Sequence, residues 1–403
     1  MQDANAEWKS WLKQTLKKDE DLLDRFIAIF DSSDIRPEIK DELWNAIGIN
    51  VEINFPSHCA LPGSLTIPYY HRSLNSKNSK EKQPVIKPVR IKLDETEAAQ
   101  IIDCSRKILA RKLREIDPIS FTEPKLISYY LLQRGLSIAL MAMVPERRHP
   151  IDSYMGYMVF KNGLPVAYAG SWILFNSARI GLNVFGEFRG GEAQYIFQQV
   201  LQLHSQVYQL KRFSVDPYQI GKENSDGIHS GAFWVYYHAG FRPILKAQRE
   251  LAAQEAWKKK TDPVYRSPAT VLKKLADSRM ELIMNKSAVA FDATDLSIAY
   301  ASILEKKYNN NRMLAEKYSV KKLAGILQLK NYQEENIKFV LKNWGLLILS
   351  NETLFHRNST LKRSLKKLFQ LKADGREEAY ISELQQAVEL RKFLEDLLND
   401  LKH

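Results

Sequence analysis

The stretch Phe188–Gln199, FRGGEAQYIFQQ, sets an arginine and two adjacent glycines directly before an amphipathic run. Residues of this kind can bind phosphate. Glycines let the main chain approach an anion closely, and the first amides of a helix point outward, unsatisfied, at the positive end of its dipole. The same residues also make a plain strand-to-helix turn capped by Glu192, and a glycine-rich turn alone does not separate the two. Other chemistries have little to work with. Cys59 and Cys104 are the two cysteines and show no CxxC spacing. His58-Cys59 has no second pair at metal-ligand spacing, and Cys104 falls on the apolar side of a helix, so both cysteines read as packing residues. No Ser-His-Asp arrangement, Walker loop or HExxH motif is present. Near the carboxyl end, RNSTLKRSLKKLFQLK gathers Arg357, Lys362, Arg363, Lys366 and Lys367 on a helical pattern. A basic groove could follow a nucleic-acid backbone, but without stacking aromatics the run reads first as a solvated helix face.

Elements must hold these residues. Residues 5–47 read as helical, with Trp8, Trp11, Leu12, Leu16, Leu23, Phe26, Ile27 and Phe30 at helical spacing and Pro37 opening a second helix that ends near Gly48. SLTIPYY is extended, and the polar stretch SLNSKNSKEKQP over 73–84 is the clearest linker. A helix is expected over about 95–114, capped by Asp94 or Thr96, and another helical piece over 126–133. LSIALMAMV, SYMGYMVF, LPVAYAGSWILF and ARIGLNVF then read as strands. Asn162-Gly163 and Asn176-Ser177 suit tight turns between them, which predicts an antiparallel meander. Alternation follows: a helix over 193–210, the strand RFSVDPY, a short helix over 230–238 and a strand start at FRPI. Beyond about Pro263 the pattern is helical to the end. The last helix repeats Ala387, Leu390, Leu394, Leu397 and Leu401 at three- and four-residue steps. That stripe reads first as core-facing and second as a seed for a protein partner or self-association.

Meander, glycine-bearing turn, then helix, strand, helix and strand is the order of the GCN5-related N-acetyltransferase (GNAT) superfamily. Over about residues 136–245 the chain resembles a divergent member. ARIGLNVFGEFRGGEAQYIFQQVLQL is similar to the family's strand, loop and helix, and SGAFWVYYHAGFRP to its closing helix and turn. Three positions depart from the family pattern. Phe188 stands where the loop is usually basic, with Arg189 one place later; Glu192 lies inside the loop; and His229 replaces an asparagine ahead of the tyrosine, although Asn224 lies upstream.

The fold expected is therefore α+β: a GNAT-like mixed sheet, antiparallel meander then βαβα, flanked by an amino-terminal α-rich region and a carboxy-terminal all-helical domain. The division is 1–72, a polar linker over 73–88, the acyltransferase domain over 89–262, and 263–403. The resemblance implies acetyl-CoA or another acyl-CoA as cosubstrate, with no metal. Val184, Phe185, Arg189, Gly190, Gly191, Glu192, Ala193 and Asn224 would bind it. The amides of Val184 and Phe185 would serve the oxyanion where the fourth and fifth strands splay apart. Tyr236, five residues before Phe241, would protonate the departing thiolate, and Glu187 or Asp216 would take the proton of an acceptor amine. The function implied is direct transfer of an acyl group to an amine. Two readings stand beside it: an aminoacyl or long-chain acyl transferase fed by charged tRNA or an acyl carrier protein, and a non-catalytic interaction module.

The 403 residues suit about two or three domains at roughly 150 residues each. A 45% hydrophobic and 26% charged composition is ordinary for a globular chain. A net charge of +12 favours anionic partners without choosing among nucleic acid, anionic lipid and an acidic cofactor. No apolar run approaches about 18 residues, so no membrane span is expected. The opening MQDANAEWKSWLKQ holds no signal-peptide core. With its two isolated cysteines, the chain is expected in a reducing, cytoplasmic setting.

Overall fold

Strand β4 (Ser153–Lys161) turns Tyr157 and Val159 into one apolar core and Met158 and Phe160 into another. Side chains alternate along a strand, so a run that is apolar at every position needs cover on both faces. That cover is visible in the computed structural model, which describes residues 22–47, 59–70, 88–189, 192–285, 291–352 and 358–401. The protein is α+β, with an open mixed sheet of ten strands and many helices. The chain forms two units, Met1–Pro56 and Ser57–His403. The first contains α1 (Leu22–Ser32) and α2 (Pro37–Ile47), which meet through an edge-to-face contact of Phe30 and Trp44 at 5.3 Å.

In the second unit, β1 (Val89–Ile91), β2 (Ile127–Leu131), β3 (Leu136–Met141), β4, β5 (Leu164–Leu174) and β6 (Ser177–Ile180) are antiparallel neighbours in chain order. The expected meander corresponds to β3, β4, β5 and β6, the last continued by β7 (Asn183–Val184). Asn162 (φ 49°) and Gly163 (φ 81°) turn β4 into β5 in the left-handed conformation that a tight hairpin demands. Next to β6 lies β8 (Arg212–Val215), a parallel neighbour, followed by β10 (Met280–Ile283) and β9 (Arg242–Pro243), both antiparallel.

Helices α3 (Glu95–Arg111) and α4 (Asp117–Ser120) cover one face of the sheet, where Ile101, Leu109 and Ile119 meet Met158 and Phe160. The other face is covered by α5 (Ala193–Val207), α6 (Ser225–His229), α7 (Ala232–His238), α8 (Lys246–Thr261) and α9 (Ala269–Leu275). Further helices among the described residues are α10 (Ala293–Tyr308), α11 (Arg312–Leu327), α12 (Glu335–Leu349), α13 (Ser359–Ala373), α14 (Glu377–Gln386) and α15 (Val388–Asp400). They share a core around Trp344, Leu365 and Tyr380 that rests on Leu174 and Phe175 at the end of β5.

Several sequence expectations are corrected here. Residues 127–131 form β2, not a helix; ISYYL is β-branched and aromatic, and its three central side chains are buried. The region beyond Pro263 is not wholly helical, because β10 returns to the sheet between β8 and β9 and so crosses the expected 262/263 division. Four residues are too few for a period to register. Residues 59–70, read as part of the amino-terminal region, belong to the second unit, where Leu61 and Leu65 enter the core beneath α3. The stripe of α15, by contrast, is core-facing as first read, with Leu390 and Leu394 fully buried in its own bundle. Of the basic run, Lys366 donates to the Gln328 carbonyl and Lys367 pairs with Glu383 on an otherwise solvated face of α13; Arg357 lies outside the described residues. The linker over 73–84 also lies outside them. Among the described residues, no helix is long and apolar enough to cross a membrane.

Candidate functional site

The parallel pair of β6 and β8 runs from Ser177 opposite Arg212 to Arg179 opposite Ser214 and stops. The chain continues as β7, which stays on β5 with Ala167 opposite Val184 and Tyr168 opposite Asn183. The strand thus keeps one neighbour and leaves the other. A cleft of about 330 Å³ opens at the carboxyl ends of the parallel strands. It falls at the lower end of small-molecule pockets, roughly 300–1,000 Å³. Leu182, Asn183 and Val184 form one wall, Asn224, Asp226, His229 and Ser230 belong to another, and Arg189, Ala193 and Tyr236 are among the other lining residues.

Backbone parity decides which amides face this space. Gly181 and Phe185 donate their N–H groups to the carbonyls of Gly170 (3.3 Å) and Val166 (3.0 Å) on β5. Amides alternate in direction along an antiparallel pair, so Leu182 and Val184 turn theirs away from β5 and toward the cleft. The Leu182 N–H donates to the hydroxyl oxygen of Tyr236 at 3.1 Å, as this parity requires. The expectation for Phe185 is therefore corrected: its amide is used within the sheet, and its ring stacks on Tyr168 at 5.3 Å inside the core. Val184 lines the cleft, and Leu182 is the second amide turned toward it.

Tyr236 lines the cleft but is almost wholly buried, its ring edge-on to Phe197 (5.0 Å) and Phe241 (5.8 Å). Burial pushes its pKa upward, so the phenol stays protonated through the neutral range. Because its oxygen accepts from Leu182, its own proton is left to donate to a ligand. Tyr157, also buried, donates to the Gly181 carbonyl and holds the point where the strand bends away.

The two expected bases stand outside the cleft lining. Glu187, on the 3-10 turn Gly186–Phe188, is exposed and paired with Lys112, which holds its carboxyl below the usual carboxylate range. Asp216, just past β8, lies between Arg179 (3.3 Å) and Arg279 (3.8 Å). Both carboxylates are occupied by cations, which argues against either as a base. The cleft has a different candidate in His229. Its Nδ1 lies 2.7 Å from the Ser225 carbonyl; a carbonyl only accepts, so Nδ1 carries the proton and Nε2 of the neutral ring is an acceptor. The sequence signal is the four-residue step from Ser225 to His229, which sets the ring over the preceding turn of α6.

The residues expected to hold an anion divide. Ala193 opens α5 at the cleft edge. Arg189 also lines the cleft, but its guanidinium grips Asp226 bidentately (2.9 and 2.8 Å) while its Nε donates to the Val184 carbonyl. Asn224 reaches the cleft wall and spends its side chain on structure, capping α6 through the Gly227 N–H (3.1 Å) and donating to the Tyr218 carbonyl (3.0 Å). Gly190 and Gly191 lie outside the described residues. Glu192 neither caps α5 with its side chain nor lines the cleft. Its carboxylate is clamped by Arg134 (2.6 Å) and Lys161 (3.1 Å), which hold its pKa down although burial opposes them. The acidic residue of the glycine turn is thus neutralised away from the cleft, and it ties the start of α5 to the β2–β3 turn and the end of β4.

No protein-family model, no curated protein and no solved structure matches the chain.

Proposed function

We propose that the protein is a GNAT-like acyltransferase that moves an acyl group, acetyl in the first instance, from acyl-coenzyme A to an amine. One observation carries the reading: beyond β6 the chain parts from β8 just where the amides of Leu182 and Val184 turn into a cleft that Tyr236 also lines. An extended pantetheine arm would lie along β7. The Val184 N–H would bind the thioester oxygen and stabilise the charge that grows there. Tyr236, kept protonated by its surroundings, would give its proton to the departing sulfur. The Nε2 of His229 would take the proton from the attacking amine. The first amides of α5 around Ala193 would receive the pyrophosphate, and Arg189 would join them by leaving Asp226.

Titration calorimetry with free coenzyme A and with acetyl-coenzyme A tests the proposal. Saturable binding of both is expected, and absence of heat with either overturns the cosubstrate assignment. The pairing of Arg189 with Asp226 lends some weight to a second reading, in which the donor is an aminoacyl-tRNA or an acylated carrier protein. A wall that already neutralises its arginine is less suited to a free pyrophosphate. Binding of acylated carrier or charged tRNA without binding of free coenzyme A would favour it.

A further inference from the structure

Cys59 and Cys104 lie 45 residues apart in the chain, and the fold brings their sulfurs to 3.1 Å from each other. Cys104 sits on the inward side of α3, almost fully buried. Cys59 is brought to it by the segment 59–65, which is fixed at several points. The Leu61 N–H donates to the Gly163 carbonyl (2.9 Å), Leu61 and Leu65 are buried, and the Tyr129 hydroxyl donates to the Leu65 carbonyl (2.8 Å). The Cys59 thiol lies 2.9 Å from the Cys104 carbonyl, so the two residues meet at backbone as well as at sulfur. Cys59 is only half-buried, and its side chain reaches solvent where that of Cys104 does not.

We propose that Cys59 and Cys104 are a reversible redox pair, oxidised to an intramolecular disulfide by a small-molecule disulfide of the glutathione type. The sulfurs need to close by about 1 Å to reach the bonded separation of about 2.05 Å. Their roles are unequal. Cys59 is the more exposed of the two, and a hydrogen bond from the Cys104 thiol lowers its pKa, while the same bond and burial drive the Cys104 pKa upward. Cys59 is therefore the attacking thiolate and Cys104 the resolving thiol.

The Cys59 thiolate attacks one sulfur of glutathione disulfide. The S–S bond breaks, one glutathione leaves as thiolate and takes a proton from water, and a mixed disulfide remains on Cys59. Cys104 then attacks the Cys59 sulfur, and the second glutathione leaves as thiolate and takes up the proton that Cys104 gives up. Two electrons pass from the two protein thiols to the glutathione disulfide, giving one protein disulfide and two molecules of glutathione. The bond would staple the segment carrying Leu61 and Leu65 to α3.

The test equilibrates the full chain without oxygen across glutathione buffers from reducing to oxidising, followed by acid quench, alkylation and intact-mass measurement. The expected product has lost two hydrogens, takes up no alkyl group, and forms with a steepness that follows the square of glutathione over glutathione disulfide. Cys104→Ala is expected to stop at the mixed disulfide. Cys59→Ser, at a half-exposed position and so the safer variant to fold, is expected to leave Cys104 unreacted. A lasting glutathione adduct on the unaltered chain, two alkylatable thiols in fully oxidising buffer, or disulfide-linked dimers would each overturn the proposal.

Discussion

The Leu182 backbone N–H and the Tyr236 hydroxyl oxygen are joined at 3.1 Å, so the chain that stays on β5 while parting from β8 is tied to α7 by the group proposed as the acid. One bond does two things. It satisfies an amide that has lost its strand neighbour, and it orients the phenol so that its proton is the part left for a ligand. Tyr236→Phe separates these effects. Turnover is expected to fall by about 10²-fold or more, the usual range for losing a positioned proton donor, while coenzyme A still binds. Stability is expected to drop by about 1–3 kcal/mol, because the Leu182 amide loses its acceptor. Steady-state kinetics beside calorimetric titration and urea unfolding of the same variant check all three.

Arg189 and Asp226 make the second prediction. Both are about half exposed, at 44% and 54% of their side-chain surfaces, so their ion pair contributes little to stability, about 0–1 kcal/mol. Its effect should appear in ligand binding. Asp226→Asn releases the guanidinium and is expected to tighten coenzyme A binding several-fold with an unchanged Tm. Arg189→Ala is expected to weaken it. Binding that is equal in both variants, measured at low salt, would show that the pyrophosphate does not reach this wall.

How much of this was legible in the sequence follows physical lines. The meander was readable because β3 to β6 are apolar runs bounded by Asn-Gly and Asn-Ser turns. Local chemistry announces such elements. Strand β10 was not readable, since MELI borrows its strand character from β8 and β9 on either side. The site was half legible. Tyr236 and Val184 could be placed by order along the chain, but the facing of the Phe185 amide depends on pairing parity, which no single stretch records. The two cysteines read only as packing residues in the sequence, because nothing in their spacing encodes the turn of Leu61 against Gly163. Glu192 was awkward in isolation; Arg134 and Lys161, far off in sequence, resolve it.

His204 leads to a pH prediction. It is fully buried on α5, its Nδ1–H donating to the Val200 carbonyl (2.9 Å) and its Nε2 facing the Ser171 hydroxyl (3.2 Å). Burial lowers its pKa from 6.5 to about 4. Below 6.5 the unfolded chain takes up a proton that the folded one refuses, so stability falls as pH drops from 6.5 and the loss is complete below about 4. The span corresponds to about 3 kcal/mol. Carboxylates titrate in the same window, so the quantity to measure is the difference from His204→Gln. Urea unfolding of both proteins from pH 7 to 4 is expected to show the unaltered chain losing more stability. Parallel curves would rule out the burial effect.

The bundle is held to the sheet by a cluster that makes the last prediction. Lys372 and Glu377 are 2% and 4% exposed and lie 2.9 Å apart; Arg148 stands 3.5 Å from the same carboxylate, and the Ser153 hydroxyl donates to it. Lys372 also donates to the Asp152 carbonyl at 2.8 Å, at the entrance to β4. The carboxylate is thus the common partner of two buried cations. Both its neighbours lie beyond the reach of solvent, and burial already lowers the Lys372 pKa. Glu377→Gln removes the negative charge that both cations share and is expected to cost about 3–5 kcal/mol, as for other buried pairs that lose one member. Lys372→Met added to that variant removes one of the stranded cations, and it should restore a large part of the loss. If Glu377→Gln unfolds within about 1 kcal/mol of the unaltered chain, the charges do not anchor the bundle, and the attachment rests on the apolar contact of Leu174 and Phe175 with its core and on hydrogen bonds such as those of Gln385 to the Phe175 and Tyr208 carbonyls.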